Sequence, residues 1–284
     1  MALRFHKMHG AGNDFMLVDL RPGAQEGVRD VPGAREARDW GDRHRGVGFD
    51  QLLVLSEPTE DRHDARVSFW NADGSSAEQC GNGMRAIGLY LHRRAGERGN
   101  RTRFTVEAPL QTHDLEVQGP DSVSVDMGRP HWAASDIPLL GLSSSPNHRY
   151  CLALEGGDIE FGAVSLGNPH AVIEVERAED APLESIGAAL RKHPAFPDGC
   201  NVGFAQVLEP DHITLRVLER GAGETLACGS GACAAVAWLT RIGRTQGRVR
   251  VTQAGGTLWV ETEGGVGPVT LTGPATHVYE GTLA

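Results

Sequence analysis

Apolar and polar positions along this chain fall into short alternating runs, the period expected of half-buried β-strands. Ala65-Arg66-Val67-Ser68-Phe69-Trp70 is one such run, followed by the polar loop Asn71-Ala72-Asp73-Gly74-Ser75-Ser76. Next comes Cys80-Gly81-Asn82-Gly83-Met84-Arg85-Ala86, leading into Ile87-Gly88-Leu89-Tyr90-Leu91, which reads as a helix. The same succession returns later. Ile213-Thr214-Leu215-Arg216-Val217-Leu218 leads to the loop Glu219-Arg220-Gly221-Ala222-Gly223-Glu224-Thr225, and Cys228-Gly229-Ser230-Gly231-Ala232 opens the helical Cys233-Ala234-Ala235-Val236-Ala237-Trp238-Leu239. Past the helices, Phe104–Glu107 and Arg248–Val251 read again as strands.

Two further segments repeat at nearly the same spacing of roughly 150 residues. Asn13 in Gly10-Ala11-Gly12-Asn13-Asp14 matches Asn168 in Leu166-Gly167-Asn168-Pro169-His170, and Gln51 in Gly48-Phe49-Asp50-Gln51 matches Asn201 in Gly199-Cys200-Asn201. Each half is therefore predicted to be a strand-rich unit built on one strand, loop, Cys-Gly-x-Gly and helix module. Few crossover helices separate the strands, so the expected fold class is α+β: two pseudo-symmetric halves of largely antiparallel strands around a central helix. Gly and Pro in Met127-Gly128-Arg129-Pro130 mark the join. The expected halves are 1–128 with Cys80, joined by 275–284, and 129–274 with Cys228, with the active site in the cleft between them.

Composition removes several function classes. The net charge is -10, with no basic run of the kind that neutralises phosphates, so nucleic acid is not an expected partner. No apolar stretch approaches a membrane span and the amino terminus has no apolar signal core, so a soluble, cytoplasmic protein is expected. Five cysteines, an odd number, argue for free thiols rather than a disulfide framework. No metal is expected, because no Cys-x-x-Cys or His-x-x-x-His pair occurs and Cys228 with Cys233 lacks a matching pair. Lys7 and Lys192 are the two lysines, and neither lies in a motif suited to a pyridoxal phosphate Schiff base. No cofactor is expected.

A cysteine at the start of a helix meets outward-facing backbone N–H groups and the positive end of the helix dipole, which favour a thiolate and also suit a carboxylate. Neighbouring glycines let a ligand approach the backbone. A single Cys-Gly pair is more often a packing thiol. Two at equivalent places of a duplicated chain change the balance, since pseudo-twofold symmetry sets thiols on opposite faces of one substrate carbon. That is the geometry needed to remove a proton from one side and deliver one to the other.

These motifs resemble the signatures of the diaminopimelate epimerase family. The resemblance rests on Lys7-Met8-His9-Gly10-Ala11-Gly12-Asn13-Asp14-Phe15, Asn71, Cys80-Gly81-Asn82-Gly83 with Arg85, Gly167-Asn168-Pro169-His170, and Glu219–Thr225 through Ala227-Cys228-Gly229-Ser230-Gly231-Ala232. It implies interconversion of LL- and meso-2,6-diaminopimelate, a step toward lysine and peptidoglycan precursors. By that resemblance Cys80 and Cys228 are the acid and base, while amides of Gly81, Asn82, Gly229 and Ser230 grip the carboxylate at the reacting carbon. Asn13 and Gln51 are expected at the amino group there, and Asn71, Asn168, Asn201 and Arg220 at the remote head, with Arg220 as a bidentate clamp. His170 and Glu219 are expected to tune or relay protons to the thiols. Tyr279 resembles a residue of a homodimer interface, and packing on its own domain is the plain alternative. Cys151 and Cys233 are expected to be inert core thiols, with Cys200 left open. Departures from the family pattern are Ala86 and Gln79 beside the first thiol, and Arg21 to Asp39 and Leu142 to His148, which read as loop insertions.

Two rival readings stay open. A proline racemase-like two-thiol enzyme is expected to carry His where Asn82 stands and has no use for Arg220. A non-enzymatic dithiol redox sensor leaves the Asn and Arg set without a purpose.

Overall fold

The computed structural model describes residues 3–25, 31–96, 100–154 and 157–283. Its contacts divide the chain into two units, Met1–Val125 with Gly273–Ala284, and Asp126–Thr272.

In the first unit, β1 (Leu3–Gly10) and β2 (Asn13–Asp19) form a hairpin, followed by α1 (Ala34–Gly41), β3 (Gln51–Ser56), β4 (Ala65–Asn71) and the short β5 (Ser76–Ala77). Helix α2 (Gly81–Gly96) comes next, then β6 (Arg103–Glu107), β7 (Thr112–Gly119) and β8 (Ser122–Asp126). The β1–β2, β3–β4, β4–β5, β6–β7 and β7–β8 pairs are antiparallel, and β2–β3 and β4–β6 are parallel. The parallel pairs are those bridged by a helix, as a crossover requires.

The second unit repeats this connectivity. A strand β9 (Tyr150–Leu154) precedes β10 (Gly157–Ser165) and β11 (Pro169–Glu174), and a π-helical turn, Leu183–Gly187, runs into the short α3 (Ala188–Arg191). Then follow β12 (Asn201–Glu209), β13 (His212–Glu219), β14 (Gly223–Glu224), α4 (Gly229–Arg241), β15 (Arg248–Gln253), β16 (Gly256–Thr262) and β17 (Val269–Pro274). Here β11–β12 and β13–β15 are the parallel pairs, in the places of β2–β3 and β4–β6. The final strand, β18 (Thr276–Leu283), returns to the first unit and pairs antiparallel with β1, as β9 pairs with β10. The fold is α+β, as the patterning predicts.

Burial explains why each helix is the centre of its unit. Residues Gly81 to Leu91 of α2 and Gly229 to Leu239 of α4 are buried without a break. A helix buried on every face must be surrounded by sheet: α2 packs on β1, β2, β6, β7 and β18, and α4 on β10 to β13 and β16. The close approach depends on small residues. A Cβ on Gly162 of β10 would lie 2.3 Å from ring atoms of Trp238 in α4.

Arg21 to Asp39 is not wholly a loop. Residues 26–30 fall outside the described residues, but from Ala34 the chain is helical, with the Gly33 N–H donating to the Glu36 carboxylate at 3.1 Å. Ala37 is buried and Trp40 packs beside it against Phe49, Leu52 and Val54, which is the apolar face that makes this segment a helix. Residues 142–148 form exposed turns without regular structure, apart from Leu142 packed on the core of the second unit and the His148 carbonyl that accepts from Trp238 Nε1 at 3.0 Å.

Candidate active site

Each Cys-Gly-x-Gly cysteine is the N-cap of its unit's central helix. The Gly83 amide points at Cys80 Sγ at 3.2 Å, and the Gly231 amide at Cys228 Sγ at 3.4 Å. In both, sulfur takes the role that a serine or aspartate oxygen has in an ordinary N-cap, satisfying the third-turn-position N–H. The second glycine of each motif serves the sulfur: a Cβ on Gly83 or Gly231 would lie 3.1 or 3.2 Å from it. By helix geometry the amides of the first two positions, Gly81 and Asn82 or Gly229 and Ser230, point off the helix end.

Around Cys80, which is half-buried, the first unit brings Asn13 and Asn82 together, while Gln51 and Asn71 pair with each other on β3 and β4. Asn13 opens β2 after a tight hairpin turn in which Ala11 and Gly12 both have positive φ, 52° and 82°, the two-residue geometry whose twist matches that of the strands. Its Oδ1 faces Cys80 Sγ at 3.9 Å and accepts from Asn82 Nδ2 at 3.3 Å. Gln51 Nε2 donates to Asn71 Oδ1 at 2.9 Å across the β3–β4 pair, and Asn71 Nδ2 donates to Ser75 Oγ at 2.9 Å. The resemblance divides Gln51 and Asn71 between the two heads of the substrate; in the structure they are hydrogen-bonded neighbours across β3 and β4.

Cys228 is buried, 3% exposed. Its backbone is held from both sides by Gln253, whose Oε1 accepts from Cys228 N at 2.8 Å and whose Nε2 donates to Cys228 O at 3.3 Å. The thiol itself is pushed well above the ordinary cysteine range, by burial first and then by the negative charge of Glu219 beside it, with the Gly231 amide and Ser230 acting the other way. The helix N-terminus does favour a thiolate, but here desolvation and a carboxylate outweigh it, so Cys228 is held as a proton donor. Glu219 is fixed by Thr225 Oγ1, which donates to its carboxylate, and its carbonyl accepts from Arg191 Nη1 at 3.0 Å.

His170 is linked to Cys228 through Asn168 and Ser230. Its Nε2 bonds Asn168 Oδ1 at 3.0 Å, Asn168 Nδ2 donates to Ser230 Oγ at 3.3 Å, and Ser230 Oγ lies 3.7 Å from Cys228 Sγ. Because Asn168 Oδ1 can only accept, Nε2 carries the proton. Complete burial, followed by the charge of Arg220, lowers the imidazole pKa to about 3. It stays neutral at physiological pH, hydrogen-bonded to Asn168. Asn201 is similarly engaged: its Oδ1 accepts from Arg220 N at 2.8 Å and its Nδ2 donates to Pro169 O at 3.4 Å. The Arg220 guanidinium, on an exposed residue, donates from Nη1 to Asp198 O at 3.1 Å.

A pH prediction follows from His170. Below about pH 6.5 the unfolded chain takes up a proton on this histidine that the folded chain refuses, so stability is full above that pH and is lost as pH falls toward 3. His6, lowered to about 4 mainly by burial, adds to the same loss. His170→Gln is expected to make the acid arm shallower, leaving the shares of His6, His277 and the carboxylates held low such as Asp14 and Glu107, in urea midpoints taken from neutrality to about pH 4. An unchanged acid slope would count against a buried neutral imidazole.

Of the remaining cysteines, Cys200 is buried and its thiol is pushed up to about 12 by burial. Cys233 is buried in α4. Cys151 is exposed, not a core thiol, because β9 alternates and it is Tyr150 and Leu152 that face inward. Tyr279 is 44% exposed with its ring edge against Phe5 at 6.1 Å. Among the described residues no group of three or more His, Cys, Asp and Glu could hold a metal, and no helix is long and apolar enough to cross a membrane. Sequence reasoning gave no role to Asp50, Arg85 or Gln253. The first two stand inside quoted motifs, which was a signal; Gln253 carries none.

The family model described as diaminopimelate epimerase matches residues 5–133 and 162–278. Proteins named diaminopimelate epimerase from Xanthomonas axonopodis pv. citri (strain 306) and Xylella fastidiosa (strain M12) are each 46% identical over 279 residues, 98% of this chain and 95% of theirs. A solved hydroxyproline epimerase from Agrobacterium vitis with bound trans-4-OH-L-proline is 16% identical, with a TM-score of 0.69 over 100% of this chain and 92% of that one. A predicted epimerase from Pseudomonas aeruginosa is 18% identical, with a TM-score of 0.66 over 99% of both chains. At such identities the solved structures speak for the fold, which the two halves share with them, and the closer relatives speak for the family. The chain belongs to the diaminopimelate epimerase family of isomerases.

Proposed function

We propose that this protein interconverts LL- and meso-2,6-diaminopimelate without a cofactor, through Cys80 and Cys228 acting on opposite faces of one α-carbon. The observation that carries this reading is the recurrence of one arrangement, a thiol capping a central helix whose first three turns are buried, at equivalent places in two units of the same connectivity. A thiolate on one side takes the α-proton, the electron pair passes into the carboxylate, and the opposite thiol returns its own proton to the other face. The two cysteines exchange protonation states and the centre is inverted. The helix-end amides at Gly81, Asn82, Gly229 and Ser230 hold the carboxylate and stabilise its added charge as the proton leaves. Cys228, kept protonated by burial and Glu219, is the thiol ready to donate in the substrate-free protein.

Asn13 and Gln51 serve the amino group at the reacting centre. In support, Gln51 Oε1 is a buried acceptor without a hydrogen-bond partner among the described residues, and an ammonium would satisfy it. Asn71, Asn168, Asn201 and Arg220 serve the remote head, where the planar guanidinium suits a carboxylate. The protein works in the cytoplasm, in keeping with five free thiols, and pairs as a homodimer through the exposed β18 and Tyr279. Its product feeds lysine and peptidoglycan precursors.

The test is incubation of the reduced protein with LL-diaminopimelate in heavy water. Deuterium entry at one α-carbon together with meso product is expected. Absence of exchange would end this reading, and turnover of proline alone would favour a proline racemase-like activity instead.

A further inference from the structure

An asparagine amide has a donor end and an acceptor end of nearly the same shape, and which end meets a ligand is decided by what holds it. Asn13 sits in a row whose direction can be read. Arg85 Nη2 donates to Asn82 Oδ1 at 2.8 Å, Asn82 Nδ2 donates to Asn13 Oδ1 at 3.3 Å, and Asn13 Nδ2 donates to Asp50 Oδ2 at 2.9 Å. The row starts at a guanidinium, which has no lone pair to offer, and ends at a carboxylate, which has no proton to give. Neither end can be reversed, so neither amide between them can be.

Both anchors are themselves fixed. Arg85 is completely buried in α2, and its Nε donates to Pro274 O at 3.2 Å. A Cβ on Gly10 would lie 3.1 Å from its Nη2, so the β1 backbone closes over it. Asp50 is gripped through its other oxygen by Arg43 Nη2 at 2.7 Å, and Oδ2 also accepts from the Asp14 amide at 3.1 Å. Arg43 continues to Asp14, which Lys7 also contacts.

We infer that Asp50 and Arg85 are positioning residues that set the direction of the Asn82–Asn13 amide pair, so that Asn13 presents its oxygen, not its NH2, to the Cys80 side of the substrate. The inference rests on the proposed role of Asn13 at the substrate amino group. An ammonium brings only donors, and the oxygen can accept from it. A reversed amide would set its own N–H groups against the ammonium and would donate to the sulfur that exchanges the proton with carbon.

Arg85 is too deeply buried to test cleanly, since Arg85→Gln strands polar groups in the core. Asp50 is partly exposed, and Asp50→Asn keeps its shape while allowing either end to face Asn13. A double-mutant cycle with Asn13→Ala isolates the effect. Asp50→Asn is expected to lower kcat/KM about tenfold or more in the native background, to change it less than about twofold in the Asn13→Ala background, and to leave the unfolding midpoint in place. Arg43→Met, which removes the outer ion pairs but not the Asp50–Asn13 bond, is expected to cost less than about threefold, in line with an exposed pair. The inference is overturned if Asp50→Asn turns over within about twofold of the native protein, if its loss persists undiminished beside Asn13→Ala, or if Arg43→Met matches it. Near-native turnover by Asn13→Ala alone would instead remove the proposed role of Asn13, and the inference with it.

Discussion

Cys80→Ser and Cys228→Ser are each expected to lose inversion of the α-carbon by about a thousandfold or more, the range set by removing a general acid or base. A serine hydroxyl occupies nearly the same space and can keep the N-cap to Gly83 or Gly231, but it is far too weak an acid to replace a thiol at neutral pH. The loss should therefore come without a change in stability. The two variants should also differ from each other in heavy water. Each retains one thiol, which can take a proton from its own face and return a deuteron to that same face, giving exchange without inversion. With bases on opposite faces, one variant should label LL-diaminopimelate preferentially and the other the meso isomer, by NMR of the recovered substrate. Near-native inversion by either variant would remove the two-thiol mechanism. Labelling of the same isomer by both would place the thiols on one face.

Gly162→Ala should cost about 3 kcal/mol or more of stability, at the upper end of core overpacking. Its new methyl would lie 2.3 Å from the Trp238 ring, which is completely buried and cannot move aside. Trp238 Nε1 is tied to the His148 carbonyl at 3.0 Å, and the Arg149 guanidinium lies 5.3 Å from the ring centre. Since α4 carries Cys228 at its start, displacing the helix would move the thiol as well. The measurement is urea unfolding, read at the midpoint with the slope held as a check. A loss below about 1 kcal/mol would mean that β10 and α4 separate more easily than their packing implies.

What the amino-acid sequence determined by itself is what depends on neighbours along the chain. Strand alternation in Ala65–Trp70 and Ile213–Leu218, and a cysteine followed by Gly-x-Gly before an apolar run, are local patterns. They were enough to place both thiols at helix starts, to show the duplication, and to point to α+β units around central helices. Recurrence did the rest, because two copies of a weak signal at equivalent positions are much harder to reach by chance than one.

Tertiary structure alone decided what depends on burial and on residues distant in sequence. The helix start at Cys228 predicted a thiolate, but the strands wrapped round α4 exclude water and Glu219 arrives from β13, so the thiol stays protonated. β11 carries His170 into the core, where burial and the charge of Arg220 keep the imidazole neutral. Cys151 looked like a core thiol until the register of β9 turned it outward, and Arg21 to Asp39 looked like a loop because its helix is held by Phe49 and Leu52, residues outside the segment. Asp50 and Arg85 acquire meaning only when β2, β3 and α2 bring them to either end of the same pair of amides. Chain propensity acts over a few residues, whereas desolvation and the direction of a hydrogen-bonded row are properties of the packed whole.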